Sequence, residues 1–245
     1  MTVVVMGSQG SRAQRPFGGT LALVGGAEWQ PPAAPLDAWL LERSGSSVVT
    51  VLPTAAKDHP EMAVATAARY FRSLGGEVRA AAVASRDDAE DPRWRDRLAS
   101  ARFLYLAGGD PRHLHAVLTG TPAWEGVLDA LEAGATVAGS SAGAMVLCDR
   151  MLIPWSESTQ PGLGLLHDLV VVPHFEHWRE RLLRVGYAVG DGRVLGIDEA
   201  TGLVLEADGC LVLGAGSVTL YRVDEGGPPS ELWASKAPDE PDHCL

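Results

Sequence analysis

The sequence predicts a three-layer α/β sandwich: a mostly parallel central sheet with helices on both faces, closed by a C-terminal β meander. Three observations carry that expectation. Between residues 21 and 138, short continuous apolar runs alternate with helical segments opened by proline or an acidic residue, the pattern of parallel strands joined by right-handed crossovers. After residue 190 the rhythm changes to short β-like runs separated by Gly and Asp. The junction Gly139-Ser140-Ser141-Ala142-Gly143 has the form of a tight strand-to-helix turn, and in such sheets the active site lies at the carboxyl ends of the strands.

Taken in order, residues 1–17 lack sustained periodicity and read as an N-terminal tail, and the folded domain is expected over 18–223. Strands are expected at 21–24, 48–52, 78–83, 103–106 and 136–138, each short, apolar and bounded by turn residues. Helices are expected at 35–43, 60–74, 92–101 and 124–133, several of them closed by glycine. The meander comprises 194–197, 202–206, 210–213 and 218–221. Residues 224–245, rich in Pro, Asp and Glu, read as an acidic C-terminal tail.

Composition narrows the partners. A chain of 245 residues with formal net charge -11 presents no basic stripe, which argues against nucleic acid and for a small peptide or amide ligand. No apolar run approaches the length that crosses a bilayer, and residues 1–6 lack a basic leader, so a cytoplasmic protein without a membrane partner is expected. Three cysteines without paired short spacing indicate neither a disulfide framework nor a zinc knuckle. The strand edges of such a sheet would suit a homodimer.

The chemistry centres on Ser141. Glycines two positions to either side permit a turn that lifts its hydroxyl above the sheet edge, where it can attack a carbonyl carbon. A serine needs a base to take its proton, and the base needs an acid to fix its tautomer. Among seven histidines, His174 follows the apolar run Leu169-Val-Val-Val-Pro173 and so arrives at a strand's carboxyl end; His177 is its nearest competitor. The pair could also be half of a metal site, but no acidic or cysteine partner stands at ligand spacing, and neither metal nor cofactor is expected. For the acid, Glu157 in Pro154-Trp-Ser-Glu-Ser158 is preferred to Glu176, two residues after the histidine.

An oxyanion site requires backbone N–H donors aimed at the developing charge. Ala142, directly after the nucleophile, and Gly109 of Leu106-Ala-Gly-Gly-Asp110 are the candidates. Gly25-Gly26 fits no phosphate loop and reads as a turn near the site. Asp110, Arg179 and Arg181 are candidate substrate contacts, with Arg184 on the same helical face as Arg181.

Together these residues resemble the serine peptidase family that contains dipeptidase E and cyanophycinase, whose fold is like that of class I glutamine amidotransferases. The markers are Leu21-Ala-Leu-Val-Gly-Gly-Ala-Glu28, Val51-Leu-Pro-Thr-Ala55, Leu106-Ala-Gly-Gly-Asp110, Ala138-Gly-Ser-Ser-Ala-Gly-Ala144, Val172-Pro-His-Phe175 and Gly196-Ile-Asp-Glu-Ala-Thr201. The resemblance implies Ser141 as nucleophile, His174 as base, an acid lying between them in sequence, and Gly109 with Ala142 as oxyanion donors. It also implies a serine hydrolase of small peptides or amides, Asp-containing or isoaspartyl dipeptides among them, working through an acyl-enzyme. A non-catalytic amidotransferase-like binding domain and an α/β-hydrolase-type esterase are the alternatives.

Overall fold

The computed structural model describes residues 18–153, 158–185, 192–207, 209–224, 229–237 and 243–244. Five strands, β1 (Thr20–Val24), β2 (Val48–Leu52), β3 (Glu77–Ala80), β4 (Phe103–Leu106) and β5 (Thr136–Ser140), pair in parallel. The helices between them are α1 (Ala34–Ser44), α2 (Pro60–Ser73), α3 (Arg86–Glu90), α4 (Arg93–Ala99), α5 (Pro111–Leu118) and α6 (Pro122–Glu132), and α7 (Ala142–Val146) follows β5. Side chains of a strand alternate between its faces. Leu21 and Leu23 of β1 therefore join one core with Leu104, Leu106 and Val137, whereas Ala22 and Val24 join the other with Val49, Val51, Phe103 and Tyr105. Both faces of β1, β2, β4 and β5 are covered, which is why these four read as unbroken apolar runs, whereas β3 lies at the sheet edge and is largely exposed.

Downstream lie a hairpin of β6 (Arg150–Ile153) and β7 (Ser158–Pro161), then β8 (Leu169–Val172) and α8 (Phe175–Val185). The remaining strands are β9 (Gly192–Ile197), β10 (Thr201–Glu206), β11 (Gly209–Gly214), β12 (Ser217–Val223), β13 (Ser230–Lys236) and β14 (His243–Cys244). The C-terminal strands are mostly antiparallel, as expected, but they divide between two sheets. β10 and β11 extend the central sheet beyond β1, giving the order β14-β11-β10-β1-β5-β4-β2-β3, while β9 and β12 form a second sheet, β13-β12-β9-β8.

The division occurs at the turn between β9 and β10. There Ala200 adopts φ 53 and donates its N–H to Gly26 O, and Gly25 N–H donates to Thr201 O, so the chain is tied to the end of β1 as it changes sheet. One expectation needs correction: residues 230–236, assigned to a tail, pair along β12, and Trp233 packs on the main core. Their polar composition hides a strand whose partner supplies the ladder. Residues 1–17 lie outside the described region. Among the described residues no helix is long and apolar enough to cross a membrane.

Candidate active site

β5 ends at Ser140 and α7 begins at Ala142, which leaves Ser141 alone at the junction with φ 49 and ψ -109. Such a conformation is sparsely populated for a residue with a side chain and persists only where its surroundings fix it. Here Ser141 N–H donates to Val24 O at 2.9 Å, and Ser141 O accepts from Ala144 and Met145 N–H. The flanking glycines answer a packing demand: a Cβ on Gly139 would lie 2.5 Å from Gly143 O, and one on Gly143 would lie 2.4 Å from Leu106 O.

His174 occupies a second strand-to-helix junction, between β8 and α8, with φ 52 and its N–H bonded to Gly25 O at 2.7 Å. Its Nε2 lies 3.0 Å from Ser141 Oγ and its Nδ1 2.7 Å from Glu199 Oε1. A carboxylate only accepts, so Nδ1 carries the proton and Nε2 is left as acceptor for the serine O–H. Glu199 stands on the turn between the two sheets, where its own N–H donates to both carboxylate oxygens of Glu176 at 3.1 and 3.0 Å. Among the described residues, the carboxylate on Nδ1 is that of Glu199; Glu157, the acid expected there, lies outside the described residues. Glu176, the other candidate, reaches the backbone of Glu199 and not the imidazole.

Behind the serine, Glu28 accepts from Gly108 N–H at 3.0 Å through Oε1 and from Ser140 Oγ at 2.9 Å through Oε2. Gly109 follows with φ 141, and a Cβ there would lie 2.1 Å from Ala55 O, so only glycine fits. Neither Gly109 N–H nor Ala142 N–H donates to an acceptor among the described residues.

Peptidase family S51 matches residues 21–213, most of the chain. The chain belongs to that family. It is accordingly a serine-type peptidase, of the group that includes dipeptidase E and cyanophycinase. The cyanophycinase of Trichormus variabilis is 34% identical over 233 residues, covering 88% of this chain and 76% of that protein. The cyanophycinase of Synechococcus elongatus is also 34% identical, over 226 residues, with 82% and 67% covered. Among solved structures, a peptidase from an acI-B1 Actinobacterium superposes with a TM-score of 0.77 at 27% identity, covering 94% of this chain and 99% of that one.

Cavities open on two sides of the site among the described residues. One of about 460 Å³ is lined by Gly109, Asp110, Lys57, Asp58, His59 and Arg112. The other, about 420 Å³, is lined by His174, Glu199, Glu28, Trp29, Met62 and Thr66 among others. Asp110, a candidate substrate contact, lines the first cavity, and both of its carboxylate oxygens are already bonded. Its Oδ1 caps α5 by accepting from Arg112 and His113 N–H, and its Oδ2 holds Lys57 Nζ at 2.9 Å. The Lys57 hydrogen bond holds its carboxyl below the usual range despite partial burial, and the backbone N–H donors add to the effect. The cation facing that cavity is therefore Lys57, joined by Arg112.

Arg179 points another way: its guanidinium stacks 5.5 Å from the Phe175 ring and donates to Thr219 Oγ1 at 3.3 Å, toward the second sheet. The side chains of Arg181 and Arg184, on α8, lie outside the described region. Glu176, His177 and Glu199 each offer a ligand atom within 4.8 Å of the others, the one group among the described residues that could hold a cation. Sequence spacing pairs His177 with Glu176 but does not reveal Glu199.

Proposed function

We propose that this peptidase cleaves small peptides or amides through an acyl-enzyme on Ser141, with His174 as general base and Glu199 as the acid of the triad. The observation that carries the reading is the unbroken row Ser141 Oγ, His174 Nε2, His174 Nδ1, Glu199 Oε1, bonded at 3.0 and 2.7 Å. As Oγ attacks the carbonyl carbon, its proton passes to Nε2, and the imidazolium that forms is stabilised by the Glu199 carboxylate. The tetrahedral oxyanion is met by the N–H groups of Gly109 and Ala142, which hold no competing acceptor among the described residues. Nε2 then returns the proton to the leaving amine, and water hydrolyses the ester by the same relay.

The turn that presents Ser141 is, in this reading, a nucleophile elbow, and its unusual φ and ψ aim the hydroxyl at His174. For the substrate we propose Asp-containing or isoaspartyl dipeptides. The cavity beginning at Gly109 offers Lys57 and Arg112 to an aspartyl carboxylate, the role first assigned to Arg179 and Arg181. The relatives named cyanophycinase place cyanophycin in the same screen.

Labelling with a serine-directed fluorophosphonate, followed by peptide mapping and a Ser141→Ala control, tests the reading. An adduct confined to Ser141, together with release of amino acids from dipeptides by the wild type alone, is the expected result. Folded wild-type protein that takes no label and cleaves none of these substrates would overturn it in favour of a non-catalytic binding domain. Cleavage of simple esters without amide cleavage would favour an esterase.

A further inference from the structure

We infer that Glu28 is a positioning residue that sets the oxyanion site from behind; the inference rests on the acyl-enzyme reading above. The parallel pairing of β4 with β5 ends at Leu106 opposite Gly139. Just past that end, the chains diverge to carry the Gly108-Gly109 loop and Ser141. The Glu28 carboxylate bridges the gap, taking Gly108 N–H on one oxygen and Ser140 Oγ on the other. It therefore joins the residue before one oxyanion donor to the residue before the nucleophile.

Two features make this a clamp and not a passing contact. Glu28 fixes the peptide on one side of Gly109, and Asp110 N–H, bonded to Ala55 O at 2.8 Å, fixes the other, so the intervening Gly109 N–H is held in direction. Packing leaves little slack as well: a Cβ on Gly108 would lie 2.5 Å from Glu28 Oε1 and 3.3 Å from Ser141 Cβ, so the loop is wedged between acid and nucleophile. The backbone is shaped for the purpose. Ala27 and Trp29, on either side of Glu28, adopt φ 51 and 60, a region unfavourable to side chains, and Trp29 is buried against Tyr105. Both contacts are donations to the carboxylate, so the clamp needs acceptors and reach more than it needs charge.

Kinetics of Glu28 variants on a cleaved dipeptide, with fluorophosphonate inactivation rates and thermal melts alongside, decide the matter. Loss of one oxyanion donor typically costs about 10²–10³-fold in kcat. Glu28→Ala is expected to lose about 10²-fold in kcat with KM changed less than about threefold, and to slow inactivation in proportion. Glu28→Gln should recover most of that loss, because its amide oxygen can accept from Gly108 N–H while its NH₂ donates to Ser140 Oγ. Glu28→Asp keeps the charge but falls one methylene short, and should resemble the alanine variant. It also serves as the test if Glu28→Ala does not fold. Wild-type kcat in Glu28→Asp, equal losses in the Gln and Ala variants, or an effect confined to KM would overturn the clamp while leaving the acyl-enzyme reading intact. An inert, unlabelled wild type would overturn both.

Discussion

Gly26 and His174 stand so close that a Cβ on the glycine would lie 2.2 Å from the imidazole Cε1 and 2.9 Å from Nε2. The absence of a side chain at residue 26 is thus part of how the histidine ring is placed. Gly26→Ala should push the ring off Ser141 and also strain a backbone at φ 127. Because small misplacements of a catalytic group can cost about 10²-fold, a loss of at least that size in kcat is expected. Fluorophosphonate labelling should slow equally, with far-ultraviolet circular dichroism unchanged. Normal labelling would show that the ring has another resting place.

Glu199→Gln tests which acid serves His174. The amide can hold the ring but offers no charge to the imidazolium, and it can present NH₂ to Nδ1 and so favour the wrong tautomer. In a serine protease triad the corresponding amide substitution costs about 10⁴-fold in kcat, and a fall of about 10²–10⁴-fold is expected here. Glu176→Gln should cost less, since one amide oxygen can still accept from Glu199 N–H. The same change at Glu157 should cost less again. A larger loss at Glu157 than at Glu199 would return the triad to the acid between serine and histidine.

Only part of the candidate site is legible in the sequence. Ser141 and His174, which the structure brings within 3.0 Å, are each signalled locally, by glycines around a turn and by an apolar strand ending at a polar residue. Glu199 reaches His174 only because the chain changes sheet at residue 200, and no local pattern encodes that return; its one trace was the run Gly196-Ile-Asp-Glu-Ala-Thr201. Glu28 was hidden in the same way, since its two partners lie 80 and 112 residues away. Asp110 carries a local signal of another kind: Asp before Pro at a helix start is a capping signal, and its carboxylate caps α5. β1, β2, β4 and β5 are legible because burial on both faces leaves a continuous apolar run; β13, largely exposed, carries no such mark.

The cap at Asp110 predicts a stability effect. Asp110→Ala leaves the Arg112 and His113 N–H groups without their acceptor, and loss of an N-cap typically costs about 1 kcal/mol. A melting temperature lower by roughly 2–4 °C is expected for a chain of this size. Because the folded-state pKa is depressed below 3.8, the carboxylate's contribution is present above the unfolded value and is lost as acid titrates it through the folded one. Wild type and variant should therefore differ at pH 7 and converge in strong acid. An equal difference at both ends of a pH series of melts would assign the effect to something other than the ionised cap.

Asp37 works in the opposite direction. It is buried on α1, accepts a hydrogen bond from Tyr70 at 2.8 Å through Oδ2, and leaves Oδ1 without a partner among the described residues. Burial pushes its pKa up to about 7, the Tyr70 hydrogen bond opposing and the nearby Glu28 charge adding to the rise. With the folded value above the unfolded 3.8, the folded state binds the proton more tightly. The group's favourable contribution is complete below about 3.8 and is lost as pH rises through about 7. At about 1.4 kcal/mol per pKa unit, the swing is on the order of 4 kcal/mol. Asp37→Asn keeps an acceptor for Tyr70 and cannot ionise. Urea unfolding at intervals from pH 4 to 8 should show the variant's stability falling less steeply with pH than the wild type's, so that the variant gains relative stability toward pH 8. Parallel curves would mean that Asp37 does not change its protonation on unfolding, and that its carboxylate is tolerated in the core as an ion.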